Sequence, residues 1–439
     1  MPIFKQSMVS KAAASIVLLT LIVGVAGRTA LDSLIAQITG PAAIAYWAQI
    51  SGLVELTGAI ASAGLAPGLT VLIARTSNPA RQAAILRDAL VLSIVFSILT
   101  ASVVGCFLWF ASIRPMNSLA FTLPIVAFAL ASGVVVAAPV LVMQTWQAKG
   151  QGLRTFALTL ASLTLSLLIA SETIVMPSSW QSLGQLPFSL LLVNVLMAVP
   201  VLLWHLLPRR GDRHAVQSHL SAGQPRSDLM AYLPTGLSIG LLGPLALILA
   251  REQLGRAAGW ETAATVQAIW RSAEWAAALL SGMLSLYCLP RFARAAAGPH
   301  PAQALRQELK RTLCWLWLPA GVALLSIQAL GPNGLAGLFS LSVLPAPMVL
   351  ATFLLAEWIR MASWVLLQVL FATSAQWAIA IGELFSLPLF AFLLWLHGAG
   401  MTLQDASVAY LLSYVAYLGF NLLWVWPRLA NGRDQSKFI

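Results

Sequence analysis

The sequence predicts an all-α polytopic membrane protein of about twelve transmembrane helices, six on either side of a basic linker. Three observations carry this. The 439 residues are 59% hydrophobic and only 9% charged, with a mean hydropathy of +0.85, whereas soluble domains are roughly a quarter charged. Apolar runs near the ~20 residues needed to cross a hydrocarbon core recur along the chain. Lys and Arg gather in the short segments between those runs. The formal charge of +11 therefore reads as membrane topology and not as nucleic-acid binding, because basic loops mark the cytoplasmic side.

Span one, 11–37, opens after Lys5 and Lys11. A secretory signal would have an apolar core of about 7–15 residues, but this run resumes past Arg28 through Leu34 and Ile35, with no convincing cleavage site. It is read as an uncleaved helix. Spans two to six follow at 43–74, 86–112, 118–146, 154–175 and 186–207. Spans seven to twelve lie at 229–250, 263–290, 311–330, 346–373, 376–396 and 404–427. Several exceed the minimum, which permits tilt or an extension beyond the bilayer.

The longest hydrophilic stretch, Pro208–Asp228, divides the spans six and six. The expected organisation is an N-terminal lobe over 1–207, a basic cytoplasmic linker over 208–228 and a C-terminal lobe over 229–439. With the N-terminus inside, the inner segments hold nineteen Lys and Arg, and the outer loops hold only Arg114, Arg251 and Arg256. Both termini are expected to be cytoplasmic. An even number of spans per half matches parallel repeats related by an axis along the membrane normal.

The outer loops are too short to hold a folded catalytic domain. No Ser/His/Asp set, HExxH, Walker loop or dinucleotide fingerprint is present, so an enzyme is not expected, nor is a cofactor. Cys106, Cys288 and Cys314 fall in apolar runs without metal-ligand spacing, which fits core packing and predicts no metal site.

The informative residues are charges inside apolar runs: Arg28, Asp32, Glu55, Arg271, Glu274, Glu357, Arg360 and Glu383. At the bilayer centre each would cost about 2.5–3.5 kcal/mol, so together they would cost roughly 20 kcal/mol facing lipid. That exceeds the stability of a typical domain. They must face a cavity, one another or a cargo. Arg28/Asp32 at i,i+4, Arg271/Glu274 at i,i+3 and Glu357/Arg360 at i,i+3 can each pair on one helix face, while Glu55 and Glu383 lack a partner on their own helix. In span eight, Gln267, Arg271, Glu274, Ala278, Ser281 and Ser285 form one stripe at helical spacing. Span twelve carries Tyr410, Tyr414, Tyr417 and Asn421.

Mutual neutralisation accounts for any one pair. Taken together, Arg28, Arg271 and Arg360 suit a phosphate-bearing cargo, since guanidinium binds phosphate in bidentate fashion. The carboxylates Asp32, Glu55, Glu274, Glu357 and Glu383 are then ion-pairing or ion-coupling candidates, for a proton or Na⁺. Gln267, Trp270, Trp275 and Trp364 are candidate sugar contacts, with core packing the competing role for the tryptophans. Trp109, Trp204, Trp395, Trp424 and Trp426 lie near span ends, as interfacial anchors do. Prolines inside spans, including Pro234, Pro244, Pro319 and Pro388, predict kinks.

Two segments carry a resemblance. Gly40-Pro41-Ala42-Ala43-Ile44-Ala45 followed by Ala48-Gln49-Ile50 resembles the first outer turn and second helix of Wzx-type polysaccharide flippases. Gln267 through Glu274, and on to Ser285-Leu286-Tyr287-Cys288-Leu289-Pro290, is similar to their eighth helix. The likeness is greatest to the branches that move O-antigen and enterobacterial common antigen lipid intermediates in lipopolysaccharide and related surface-polysaccharide biosynthesis. It implies a multidrug/oligosaccharidyl-lipid/polysaccharide exporter fold, with two six-helix lobes around a central cationic cavity. The implied function is alternating-access flipping of a polyprenyl-diphosphate-linked oligosaccharide to the periplasmic leaflet of the bacterial inner membrane. A polysaccharide polymerase and a chain-length regulator are the further partners it suggests. Glu274 matches an acidic position of that pattern, and Arg28 lies where related flippases often carry a basic residue. The chain departs from the pattern in its crowding of tryptophan and its few intramembrane cations. Three other functions compete: a peptidoglycan-precursor flippase, a drug/cation antiporter of the same superfamily, and a non-transporting scaffold of a polysaccharide assembly complex.

Overall fold

The structure, a computed structural model, describes residues 19–20, 22–37, 40–62, 65, 69, 73, 78, 81–96, 137, 139–143, 145–146, 153–161, 164, 200, 233–284, 288–296, 298–373 and 375–430. The linker 208–228, most of spans three to six, Ser285 and the side chain of Glu55 lie outside the described residues. Among those described there is helix and no strand.

The helices used below are α1 (22–37), α2 (Ala42–Ala61), α3 (81–96), α4 (153–161), α5 (Leu233–Ala258), α6 (Trp260–Met283) and α7 (Leu289–Ala296). They continue with α8 (Pro301–Phe339), α9 (Pro347–Ala372), α10 (Gln376–His397) and α11 (Leu403–Ala430). By length and composition α5, α8, α9, α10 and α11 can each cross a membrane. The polar stripe of α6 lowers its hydropathy, and that helix is held by its packing.

The chain divides into two compact units. One comprises Met1–Ala45 with Leu249–Ile439, and the other Tyr46–Ile248. In the first unit α9 is the central helix, packing against α6, α7, α8 and α11. Its core is aliphatic and aromatic, with Phe292, Phe339, Phe353 and Phe390 fully buried. In the second unit Leu65, Leu69 and Ile73 pack with Ile85, Leu86 and Leu90 of α3 and with Leu141 and Val142. There Gln49 donates to the Ile248 carbonyl at 3.1 Å, which gives this residue of the first motif a packing role.

The predicted kinks have a common physical form. Proline has no N–H to donate and crowds the preceding turn, so the helix must widen or break before it. A π-turn at Ser238–Leu242 precedes Pro244, and another at Leu313–Trp317 precedes Pro319. In α8, Gly331 adopts φ 69° just before Pro332, a conformation that glycine alone takes freely. In α10 a 3-10 turn at Glu383–Phe385 and a non-helical Ser386 precede Pro388. Gly259, at φ 89°, makes the one-residue turn between α5 and α6.

Two sequence expectations change here. Span seven was expected to end at 250, placing Arg251 in an outer loop. Helix α5 instead runs to Ala258, and Arg251 is buried within it. Cys314 was expected in the core and is exposed, whereas Cys288 is buried.

A tryptophan clasp joins α8 to α9. Trp317 and Trp358 stack with ring centroids 4.5 Å apart and 8° between planes. Each indole N–H donates to the other's carbonyl, at 2.9 and 3.2 Å. Gly321 makes this possible, since a Cβ there would lie 2.7 Å from the Trp358 indole nitrogen. Gly321→Ala should therefore destabilise the purified protein by about 1–3 kcal/mol through overpacking, seen as a lower thermal unfolding temperature. Gly337→Ala, whose Cβ meets nothing within 4 Å, should leave that temperature unchanged or slightly raised.

Candidate functional site

The described charges that the sequence places inside apolar runs fall into three clusters in the first unit. The first joins α1 to α6. Arg271 Nε lies 2.5 Å from Asp32 Oδ2, and Arg271 Nη1 also holds Glu274 Oε2 on its own helix. Glu274 Oε1 in turn faces Arg28 Nη1 at 3.7 Å. The order Arg28, Glu274, Arg271, Asp32 alternates in sign and runs from surface to core. Their side chains are 57%, 32%, 12% and 2% exposed in that order.

This corrects the sequence pairing in one respect. Arg271/Glu274 pair as expected, but Asp32 is engaged by Arg271 and not by Arg28, which reaches Glu274. Helical spacing permits an i,i+4 contact without requiring it. A buried carboxylate repays its desolvation only with a close, hydrogen-bonded cation, and here that cation comes from another helix.

The second cluster joins α9 to α11. Glu357 is buried, accepts a hydrogen bond from the Tyr410 hydroxyl and lies 2.5 Å from Arg360 Nη2. The Arg360 guanidinium sits over the rings of Trp364 at 4.6 Å and Tyr414 at 5.8 Å. Stacking on aromatic faces is favourable for this weakly hydrated cation.

The third cluster lies at the break in α10. Glu383, expected to lack a partner on its own helix, accepts from the Tyr417 hydroxyl of α11 at 2.7 Å and from Ser386 Oγ, three residues on, at 3.3 Å. Next to this pair Asn421 is fully buried, and neither of its amide atoms meets a hydrogen-bond partner among the described residues. Tyr410, Tyr414, Tyr417 and Asn421 thus form the buried face of α11, and two of the four hydroxyl or amide groups serve carboxylates on neighbouring helices.

The sugar-contact candidates are placed as follows. Gln267 is buried and accepts a hydrogen bond from Arg251 Nε at 3.0 Å. Trp270 packs edge-on against Phe390 and lies 5.5 Å from the Tyr410 ring, with the Arg251 guanidinium 5.9 Å away. Trp364 carries Arg360, and Trp275 is half-buried on α6. Arg251 is the functional-looking residue that sequence reasoning missed. Its neighbours Glu252 and Arg256, which pair with each other at 2.7 Å, make the segment look like a loop. The available signal was the lack of any proline between Pro244 and Trp260, which lets the helix continue. Among the described residues no His, Cys, Asp and Glu group is arranged to hold a metal ion.

No protein-family model and no curated protein matches the chain by sequence. Solved structures do match. An inward-facing multidrug resistance MATE family transporter of the MOP superfamily aligns with a TM-score of 0.69 at 16% identity, covering 96% of this chain and 99% of that one. An outward-facing transporter of the same description aligns at 0.67 and 13% identity over 97% of each chain. A MATE protein in complex with MaL6 gives 0.68 and 13% over 96% of each. Identity this low makes it a likeness of fold: an all-helical, two-lobed membrane architecture, with which twelve spans are consistent.

The buried Arg271–Asp32 bridge predicts a stability signature. Asp32→Asn should destabilise the purified protein by about 3–5 kcal/mol, because it leaves Arg271 and Arg28 sharing Glu274 with one buried positive charge uncompensated. Adding Arg271→Gln should recover part of that loss in the same thermal unfolding assay.

Proposed function

We propose that the chain is a membrane transporter working by alternating access, and that its cargo is a polyprenyl-diphosphate-linked oligosaccharide. In this reading it carries the lipid-linked glycan from the cytoplasmic to the periplasmic leaflet of the bacterial inner membrane. The fold likeness to transporters captured inward- and outward-facing supports alternating access. The observation that carries the cargo class is the graded chain from Arg28 to Asp32. Its outer guanidinium is more than half exposed and faces Glu274 at 3.7 Å, while its inner bridge is buried at 2.5 Å.

Such an arrangement has a chemical consequence. A diphosphate reaching Arg28 competes with Glu274 for the same guanidinium, and its two charges can outbid one carboxylate. Glu274 Oε1 is then released toward a cation from solution, while Oε2 stays on Arg271. Arg271 keeps Asp32 neutralised while Glu274 changes partner, so no charge is left stranded in the bilayer. Arg28 is the first phosphate contact, Arg271 the positioning cation, and Arg360 a more deeply held one. Glu274 and Glu383 are the described candidates for binding a proton or Na⁺, beside Glu55.

A second reading is favoured by the multidrug resistance transporters among the fold neighbours. An antiporter of cationic drugs would use the half-exposed Glu274 carboxylate as its contact, with Arg28 as the group displaced. The two readings diverge at a single residue. Under the flippase reading, Arg28→Gln removes a charge-assisted contact of about 1.5–3 kcal/mol, so flipping of lipid-linked oligosaccharide in proteoliposomes should fall roughly ten- to a hundredfold. Lipid-linked units should accumulate on the cytoplasmic face of cells carrying the variant, with Arg28→Lys intermediate. Under the antiporter reading, Arg28→Gln keeps or raises transport of a cationic dye and leaves the lipid-linked pool unchanged.

A further inference from the structure

We infer that the polar end of α8 is a docking surface for anionic phospholipid headgroups, independent of the transported cargo. From Pro301 to its break at Gly331, α8 runs for about 45 Å at 1.5 Å per residue, longer than the ~30 Å hydrocarbon core. One end must therefore stand outside it, and the sequence says which. Along its exposed face Gln307 and Arg311 are followed, at helical spacing, by Trp315, Leu318, Val322 and Leu325. The face thus passes from polar through an indole that is 76% exposed to aliphatic side chains. That order is the signature of a membrane boundary, with tryptophan at headgroup depth.

The charge at this boundary is one-sided. Arg306, Lys310 and Arg311 are exposed, and the one acid on the segment, Glu308, is turned inward to Arg291 at 2.8 Å. The patch continues onto α11, where Arg306 Nε donates to the Leu429 carbonyl at 2.9 Å. Arg428 stands there over the Trp424 ring at 5.6 Å. A carbonyl and a ring thus hold Arg306 and Arg428 at the rim without cancelling their charge. A cationic row directly above an exposed indole fits a lipid whose phosphate lies at the guanidinium level and whose chains run down Leu318 and Val322. Net negative headgroups fit best, since each Lys or Arg near an anionic leaflet adds about a fivefold preference.

The test uses the full-length protein in detergent micelles, titrated with phosphatidylglycerol or phosphatidylcholine, and counts retained lipids by native mass spectrometry. The wild type should retain at least one phosphatidylglycerol that the R306Q/K310Q/R311Q variant loses, while phosphatidylcholine retention is equal in both. The charge-preserving R306K/R311K variant should keep that lipid. Equal phosphatidylglycerol counts in wild type and the glutamine variant would overturn the proposal. Should the glutamine variant not fold, raising NaCl from about 0.1 to 1 M on the wild type decides: screening should release the lipid, and indifference to salt would overturn it. Inorganic phosphate at matched ionic strength should displace no more lipid than chloride does. Selective displacement would mark a free-phosphate site instead, and would likewise overturn the proposal.

Discussion

The contact on which the rest of the first unit depends is the buried bridge between Arg271 and Asp32. Removing either partner leaves an uncompensated charge in a medium where that costs several kcal/mol. The bridge also fixes which segments belong together. Asp32 lies near the start of the chain and Arg271 in its second half, and they meet inside one compact unit. Ser33 adds a second tie, donating to the Leu338 carbonyl at 2.6 Å. With α1 anchored in this way, Glu274 and Arg28 are held at graded depth above the bridge, one able to change partner while the other charges remain matched.

The same logic recurs around α11. A carboxylate in an apolar surround is stabilised by any directed donor, charged or neutral. Glu357 receives both an arginine and a phenol, and Glu383 receives a phenol and a serine. The tyrosine face of α11 is therefore the acceptors' complement rather than a lining of aromatic surface. Breaks in the helices serve that pattern. The 3-10 turn before Pro388 frees local backbone where Glu383 sits, and such irregular backbone persists inside a membrane protein only where protein covers it.

Membrane exposure accounts for the remaining surface. Trp395 and Trp426 are exposed, as expected of residues near span ends, and Leu423 and Val322 face outward in apolar stretches. Trp358 and Trp270, by contrast, are consumed in packing. The first is clasped with Trp317 and the second wedged among Phe390, Tyr410 and the Arg251 guanidinium. Tryptophan is large enough to serve either purpose, and composition does not separate them.

The sequence alone determined the class of the protein, because hydropathy and the cost of charge in lipid act on single residues and short windows. It placed the last three spans to within about three residues, anticipated kinks at Pro244, Pro319 and Pro388, and picked out Arg28, Asp32, Arg271, Glu274, Glu357, Arg360 and Glu383 as residues in need of partners. It read the pairs within one helix, Arg271/Glu274 and Glu357/Arg360, since helical geometry fixes their separation. Only the tertiary structure decided the partners between helices: Asp32 with Arg271, Tyr410 with Glu357, Tyr417 with Glu383, and Gln267 with Arg251. Those contacts depend on how the faces of distant helices meet, and no local period encodes that. Arg251 shows the limit most plainly, because its partners Gln267 and Trp270 stand on the next helix, across the turn at Gly259, and not among the residues beside it.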